Sequence, residues 1–261
     1  MPDFLQQMAR ASARRVAEAR SATPEKEMRR AAEHMRPARE LRFGDELEVI
    51  AEVKRAAPSA GVLRESVSVI DRVRRYERAS AAAVSILTEP TRFRGSLADL
   101  REAVGATSLP VMRKDFLVEP YQVFEARANG ADGVLLIAAM LDDYTLKETL
   151  SVAAYLGMFA LVEAFSELDI ERAQLAGAEF VGVNCRNLRD LSVDFERFRK
   201  LREYIDPDRY AVAESGITST ARFAGVRELG YHAALIGSAL MREDDPGAVL
   251  MKLRQSVGAA R

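Results

Sequence analysis

Three short stretches of this chain repeat one pattern at wide intervals, and the repetition limits the fold more than any other feature. They are Asn129-Gly-Ala-Asp-Gly-Val-Leu-Leu-Ile, Ala176-Gly-Ala-Glu-Phe-Val-Gly-Val and Leu229-Gly-Tyr-His-Ala-Ala-Leu-Ile. In each, a glycine (Gly130, Gly177 or Gly230) stands just ahead of an apolar run. Glycine tolerates the left-handed conformation that ends a helix. Each copy therefore reads as a helix stop followed at once by a buried strand, and the copies lie about two helix–strand units apart.

The same grammar runs through the rest of the chain. Strand-like runs at Val49–Arg55, Ala82–Leu87, Pro110–Lys114, Gly133–Ile137, Phe159–Glu163, Phe180–Asn184, Tyr210–Glu214 and Ala233–Ile236 mostly alternate with amphipathic segments. Such alternation predicts a parallel sheet with helical crossovers. Eight units in 261 residues suit an α/β fold of the (βα)8 TIM barrel type. An open doubly wound sheet is the alternative, but no G-x-G-x-x-G follows the first run.

Ahead of the first strand, Phe4, Met8 and Val16 fall at helical spacing in an Ala/Arg/Glu-rich stretch that breaks at Ser21-Ala-Thr-Pro-Glu. Thr23 is predicted to cap a second helix, with Pro24 as its first residue. The expected organisation is one barrel domain over residues 1–261, with residues 1–46 a helical extension that plugs or braces one end.

Composition narrows the partners. A net charge of −1 gives no electrostatic case for nucleic acid or a membrane surface. No apolar run approaches the roughly 18 residues that span a bilayer. The N-terminus is charged throughout and lacks a signal region, so the expected compartment is the cytoplasm. Cys185 is alone, which excludes an internal disulfide and fits a reducing environment. The two histidines, His34 and His232, stand outside any metal-binding pattern. No zinc or other histidine-rich metal site is expected, and acid–base chemistry falls mainly to Lys, Glu and Asp. A monomer is expected, with a homodimer as the alternative.

Barrel active sites lie at the C-terminal ends of the strands. Those positions hold Glu52 and Lys54 on the first strand, Lys114 on the third and Glu163 on the fifth. The sixth contributes Asn184 and Arg186, and the seventh Glu214 with Ser215. Strand alternation puts Ile50, Glu52 and Lys54 on one face, Ala51 and Val53 on the other. Any one of these charges reads most simply as a rim salt bridge. Charge at equivalent depth on several strands points instead to a shared pocket. Glu214-Ser-Gly-Ile217 and Ile236-Gly-Ser-Ala-Leu240 supply a separate signal. Gly216, Gly237 and Ser238 stand after strands seven and eight, where barrels commonly hold phosphate. Ser59 in the first loop is a further candidate donor.

Ile50-Ala-Glu-Val-Lys-Arg-Ala-Ala-Pro-Ser59 and Ser85-Ile-Leu-Thr-Glu89, with Phe93, Arg94, Gly95 and Ser96, open a longer match. Lys114-Asp-Phe116, Asn184-Cys-Arg-Asn-Leu188, Glu214-Ser-Gly216 and Gly237-Ser238 complete it in collinear order from about residue 45 to 241. Together they resemble the indole-3-glycerol phosphate synthases. The resemblance implies a carboxy-lyase of tryptophan biosynthesis acting on a small phosphorylated substrate. It would close the indole ring of 1-(2-carboxyphenylamino)-1-deoxyribulose 5-phosphate with loss of carbon dioxide and water, without a cofactor.

By that resemblance Lys114 is a general acid and Glu163 transfers protons during dehydration, while Glu52, Lys54 and Asn184 hold sugar hydroxyls and developing charge. Arg186 receives the anthranilate carboxylate, and Leu87, Phe93 and Phe116 surround the ring. Leu188 and Glu214 complete the substrate-binding set, and Ser215, Gly216, Gly237 and Ser238 cradle phosphate. Ala57 departs from the family's usual serine, which removes one loop hydroxyl. Cys185 and Arg113 are expected to point away from the site by strand alternation. A Schiff-base aldolase with Lys114 as nucleophile, phosphoribosylanthranilate isomerase and a non-catalytic barrel that binds phosphorylated ligands are the rival readings.

Overall fold

In the computed structural model, which describes residues 3–58, 60–64, 66–187 and 191–258, strand β1 (Glu48–Val53) pairs with β2 (Ala83–Leu87) on one side. On its other side it pairs with β8 (Ala233–Ile236), and that contact closes the sheet. Between them run β3 (Val111–Lys114), β4 (Gly133–Ile137), β5 (Phe159–Ala164), β6 (Phe180–Asn184) and β7 (Tyr210–Glu214). Neighbours are parallel and follow chain order around the closed barrel. This is a (βα)8 TIM barrel.

The crossovers are α3 (Val69–Arg78), α4 (Leu97–Ala106), α5 (Tyr121–Ala128), α6 (Asp143–Tyr155), α7 (Glu167–Leu175), α8 (Glu196–Arg202) and α9 (Thr220–Glu228). A short α10 (Ser238–Met241) and then α11 (Pro246–Gly258) follow β8. The repeat glycines behave as their sequence suggests. Gly130, Gly177 and Gly230 take φ of 90°, 94° and 81° at helix ends, a region hostile to side chains with a Cβ.

Alternation along each strand divides the apolar side chains between two cores. Ala51, Val53, Val84, Val134 and Val181 face outward and pack under the helices. Ile50, Met112, Leu161 and Val212, from β1, β3, β5 and β7, fill the barrel interior. These form a layer drawn from alternate strands, the usual way such barrels are packed. Below it an aromatic plug seals the bottom: Phe180 and Tyr210 stack at 5.2 Å, and Phe43 meets both edge-on at 5.7 and 5.3 Å. Two residues further along the same odd strands stand Glu52, Lys114, Glu163 and Glu214. The layer above the apolar one is thus made of charge.

Two helices precede the barrel, α1 (Phe4–Ala22) and α2 (Glu25–Glu33). Their junction differs from the expectation. Pro24, not Thr23, occupies the N-cap of α2, and no side chain caps that helix. Thr23 is used to end α1: its N–H donates to the Ala19 carbonyl, and its own carbonyl accepts the Tyr121 hydroxyl at 2.9 Å. The extension also reaches both ends of the barrel rather than one. At the mouth, Arg15 forms a two-point ion pair with Asp115 at 2.7 and 3.1 Å. At the bottom, the fully buried Asp132 carboxylate accepts the Arg39 N–H at 2.9 Å and forms an ion pair with the Arg36 guanidinium, 2.8 Å away. Among the described residues no helix is long and apolar enough to cross a membrane.

Asp132 also accepts the Val111 N–H at 3.0 Å, so one carboxylate ties the extension to the start of β3. Replacing it leaves the Val111 and Arg39 N–H groups without this acceptor and removes the countercharge of Arg36 and of the buried Arg127, 3.9 Å away. Asp132→Ala is therefore expected to cost about 3 kcal/mol in urea unfolding. A loss below about 1 kcal/mol would contradict this role.

Candidate active site

β1 delivers Glu52 into the mouth, and Lys54 folds back so that its Nζ lies 2.6 Å from the Glu52 carboxylate. The register sets Lys114 beside Leu87 on β2, so both project to the same side. Across the mouth, Lys114 Nζ sits 3.2 Å from Glu163 and 3.2 Å from Glu214, from the ends of β5 and β7. Asn184 at the end of β6 pairs in register with Glu214, and its Oδ1 accepts the Arg186 N–H at 2.9 Å. The Arg186 guanidinium donates to the Leu191 carbonyl at 2.8 Å, which holds it at the rim.

Burial and charge act against each other here. Burial disfavours the Lys114 cation, yet the combined attraction of Glu214, Glu163 and Glu52 prevails and lifts its pKa above the ordinary lysine value. Burial pushes the Glu214 carboxyl up to about 8; attraction to Lys114 opposes this, and the Glu163 charge adds to it. Near neutral pH the site therefore holds a protonated lysine, and beside it a Glu214 that keeps its proton.

One wall is apolar. Phe116 packs against Phe93 at 6.0 Å and, edge-on, against Phe4 of α1 at 5.9 Å. The loop carrying Phe93 is fixed by the buried Glu89, which accepts the N–H groups of Thr91, Arg92 and Phe93 at 2.9, 2.6 and 3.1 Å. Asp115, between Lys114 and Phe116, accepts from Thr88 Oγ1 at 2.7 Å and from the Phe116 N–H at 2.8 Å. Its burial favours the neutral acid, but Arg113 and Arg15 outweigh that and hold it as a carboxylate.

The opposite wall is backbone. Ser215 and Gly216 have φ of 69° and 68°, two successive left-handed residues that turn the chain sharply after β7. Among the described residues, the backbone N–H groups of Gly216 and Ser238 have no acceptor. A Cβ at Gly237 would strike the Glu52 carboxylate and the Lys54 ammonium, so glycine lets the loop pass without displacing either side chain.

These walls enclose a cavity of about 320 Å³, the size of a small-molecule site. Glu52, Lys54, Lys114, Glu163, Asn184, Arg186 and Glu214 line it. So do Leu87, Phe93 and Phe116 on the apolar side, and Ser215, Gly216, Gly237 and Ser238 on the backbone side. Ser59 and Leu188 lie outside the described residues. Arg113 and Cys185 face away: Arg113 bonds Glu125 at 2.7 Å, and Cys185 is buried in the outer core. Phe4, Asp115 and Arg222 also line the cavity, and none of them was assigned to the site from the sequence. Asp115 stood inside the recognised Lys-Asp-Phe motif; nothing in the sequence linked Phe4 or Arg222 to the site.

Fold and site together define a (βα)8-barrel enzyme with a lysine–glutamate acid–base cluster facing a backbone nest suited to an anion. Comparison with known proteins gives the particular kind. Residues 4–253 match the family model described as Indole-3-glycerol phosphate synthase. The indole-3-glycerol phosphate synthase of Ruminiclostridium cellulolyticum is 46% identical over 211 residues, covering 81% of each chain. That of Delftia acidovorans is 40% identical over 265 residues, covering 97% of this chain and 99% of its own. The chain belongs to the indole-3-glycerol phosphate synthase family. A solved 3-hexulose-6-phosphate synthase from Salmonella typhimurium superposes with a TM-score of 0.66 over 82% of this chain and 100% of its own. At 13% identity that likeness shows the fold alone.

The state of Glu214 has a consequence for stability. A carboxyl whose folded pKa is raised from 4.5 to about 8 keeps its proton on folding. The stability it contributes is complete below pH 4.5 and is lost as pH rises through about 8. Between those limits the parent should lose stability relative to Glu214→Gln, by up to about 1.4 kcal/mol per pH unit. Urea unfolding of both proteins across that window checks this, and a pH-independent difference would contradict it.

Proposed function

We propose that this cavity closes the indole ring of 1-(2-carboxyphenylamino)-1-deoxyribulose 5-phosphate, releasing carbon dioxide and water. One observation carries the reading: a largely buried lysine, Lys114, held charged 3.2 Å from each of two glutamates in a cavity with an aromatic wall and an anion nest. An ammonium has three N–H bonds. Two are directed at Glu163 and Glu214, which leaves one for the ketose carbonyl oxygen.

The aromatic carbon bearing the carboxylate attacks that carbonyl carbon, and Lys114 protonates the oxygen as the carbon–carbon bond forms. Carbon dioxide leaves, and the electron pair of its bond to the ring restores aromaticity. Loss of the new hydroxyl as water, with a proton from the neighbouring carbon, completes the ring. Glu163 is assigned to that proton transfer. Glu214, which keeps its proton near neutral pH, is a proton reserve within reach of Lys114.

Glu52, Lys54 and Asn184 are assigned to the sugar hydroxyls, and Arg186 to the carboxylate. Leu87, Phe93 and Phe116 would sandwich the ring. Ser215, Gly216, Gly237 and Ser238 would take the phosphate. Ser59 and Leu188 keep their assignments on the resemblance alone. We read residues 1–261 as one domain with residues 1–46 as its extension; the Arg15–Asp115 and Arg36–Asp132 ion pairs support this. The lysine's state weighs against a Schiff-base aldolase, which needs a neutral amine.

The chain has no tryptophan, so formation of an indole product should appear as fluorescence over a low protein background. Lys114→Ala is expected to lower kcat roughly a thousandfold with a small change in KM, and Glu163→Gln to act on kcat as well. Near-normal turnover by Lys114→Ala would reject its role.

A further inference from the structure

Arg222 enters the cavity wall from outside the strand ends, at the third residue of α9, where the capping Ser219 Oγ accepts its backbone N–H at 3.3 Å. In α3, α4 and α7 the equivalent place after the capping serine is acidic: Asp71, Asp99 and Asp169. Acids suit the positive end of a helix. α9 has no acid in its first turn and puts a guanidinium there instead. On helix energetics alone this is an unfavourable place for a cation.

Two contacts fix where that cation points. Nη1 donates to the Gly216 carbonyl at 2.6 Å, and the guanidinium carbon lies 5.2 Å from the centre of the Phe195 ring. Both hold it against the turn made by Ser215 and Gly216. Among the described residues, no carboxylate forms an ion pair with Arg222. Most of its N–H fork is thus uncommitted, and it lines the same cavity as Gly216 and Ser238, whose N–H groups are free. An anion in the nest would receive the fork's remaining donors and relieve the charge at the α9 terminus. Arginine suits such tetrahedral oxyanions because its donors are planar and paired.

We propose that Arg222 is a cationic ligand for the substrate's phosphate group, acting with the backbone donors of Gly216 and Ser238. This rests on reading the cavity as a site for a phosphorylated substrate. The competing role is mechanical: Arg222 would merely latch the loop through the Gly216 carbonyl.

Titration calorimetry with inorganic phosphate, on the parent, Arg222→Ala and Arg222→Lys, tests it without relying on turnover. Anthranilate, which carries the ring and carboxylate but no phosphate, is the control ligand. Arg222→Ala should weaken phosphate binding about tenfold, and raise KM for the phosphorylated substrate by a similar factor, while anthranilate binding holds. Arg222→Lys should recover part of the loss, since an ammonium serves phosphate as a point charge. Unchanged phosphate affinity in Arg222→Ala would overturn the proposal, as would equal weakening of phosphate and anthranilate. If the parent turns over the substrate but phosphate affinity is unmoved, this proposal fails and the assigned reaction stands. If phosphate binding weakens but the parent shows no turnover, the reaction fails and the anion site stands.

Discussion

A charged lysine set deep in the barrel mouth, its side chain only 15% exposed, is the constraint on which the rest of this structure depends. Lys114 is tolerable where it sits because Glu163 and Glu214 both accept a hydrogen bond from its Nζ at 3.2 Å. Carboxylate charge around it, to which Glu214 adds once it ionises above about pH 8, holds its proton. An unpaired buried charge would otherwise shed its proton or destabilise the fold. The three residues are far apart in the chain, on β3, β5 and β7, and a closed barrel is what brings alternate strands to one level. The same strands, two residues earlier, supply Met112, Leu161 and Val212 to the apolar layer beneath. One two-residue step thus converts packing into chemistry.

The N-terminal extension acts on the site through its neighbours. Arg15 holds Asp115, the residue after Lys114, and Asp115 in turn holds the Phe116 backbone. Phe4 of the same helix then completes the aromatic wall against Phe116. At the other end Arg36 and Arg39 converge on Asp132, and Phe43 joins the plug beneath the barrel. The extension is a clamp from mouth to base, so its loss would disturb the substrate wall as well as stability.

Much of this was legible in the chain. Period-two alternation told which side of β1 Glu52 and Lys54 would occupy, and it correctly turned Arg113 and Cys185 away. Glycines at 130, 177 and 230 marked strand starts because their φ values admit little else. What could not be read depends on meetings between distant elements. The pattern of α1 shows that one face is buried, but not that Phe4 would meet Phe116. Thr23 had the chemistry of a cap, yet the end of α1 claimed it first. The raised pKa of Glu214 follows from burial beside Glu163, and neither burial nor that proximity is written in local sequence.

The central claim is that carboxylate attraction overcomes burial at Lys114. Its most direct test is the pH titration of the Lys114 side chain by NMR in lysine-labelled protein, assigned by comparison with Lys114→Arg. The account predicts that this ammonium keeps its proton beyond the ordinary value of 10.5 in the parent, and loses it earlier once Glu163 and Glu214 are both replaced by glutamine. A parent Lys114 that titrates below 10.5 would show that burial wins, and would contradict the account.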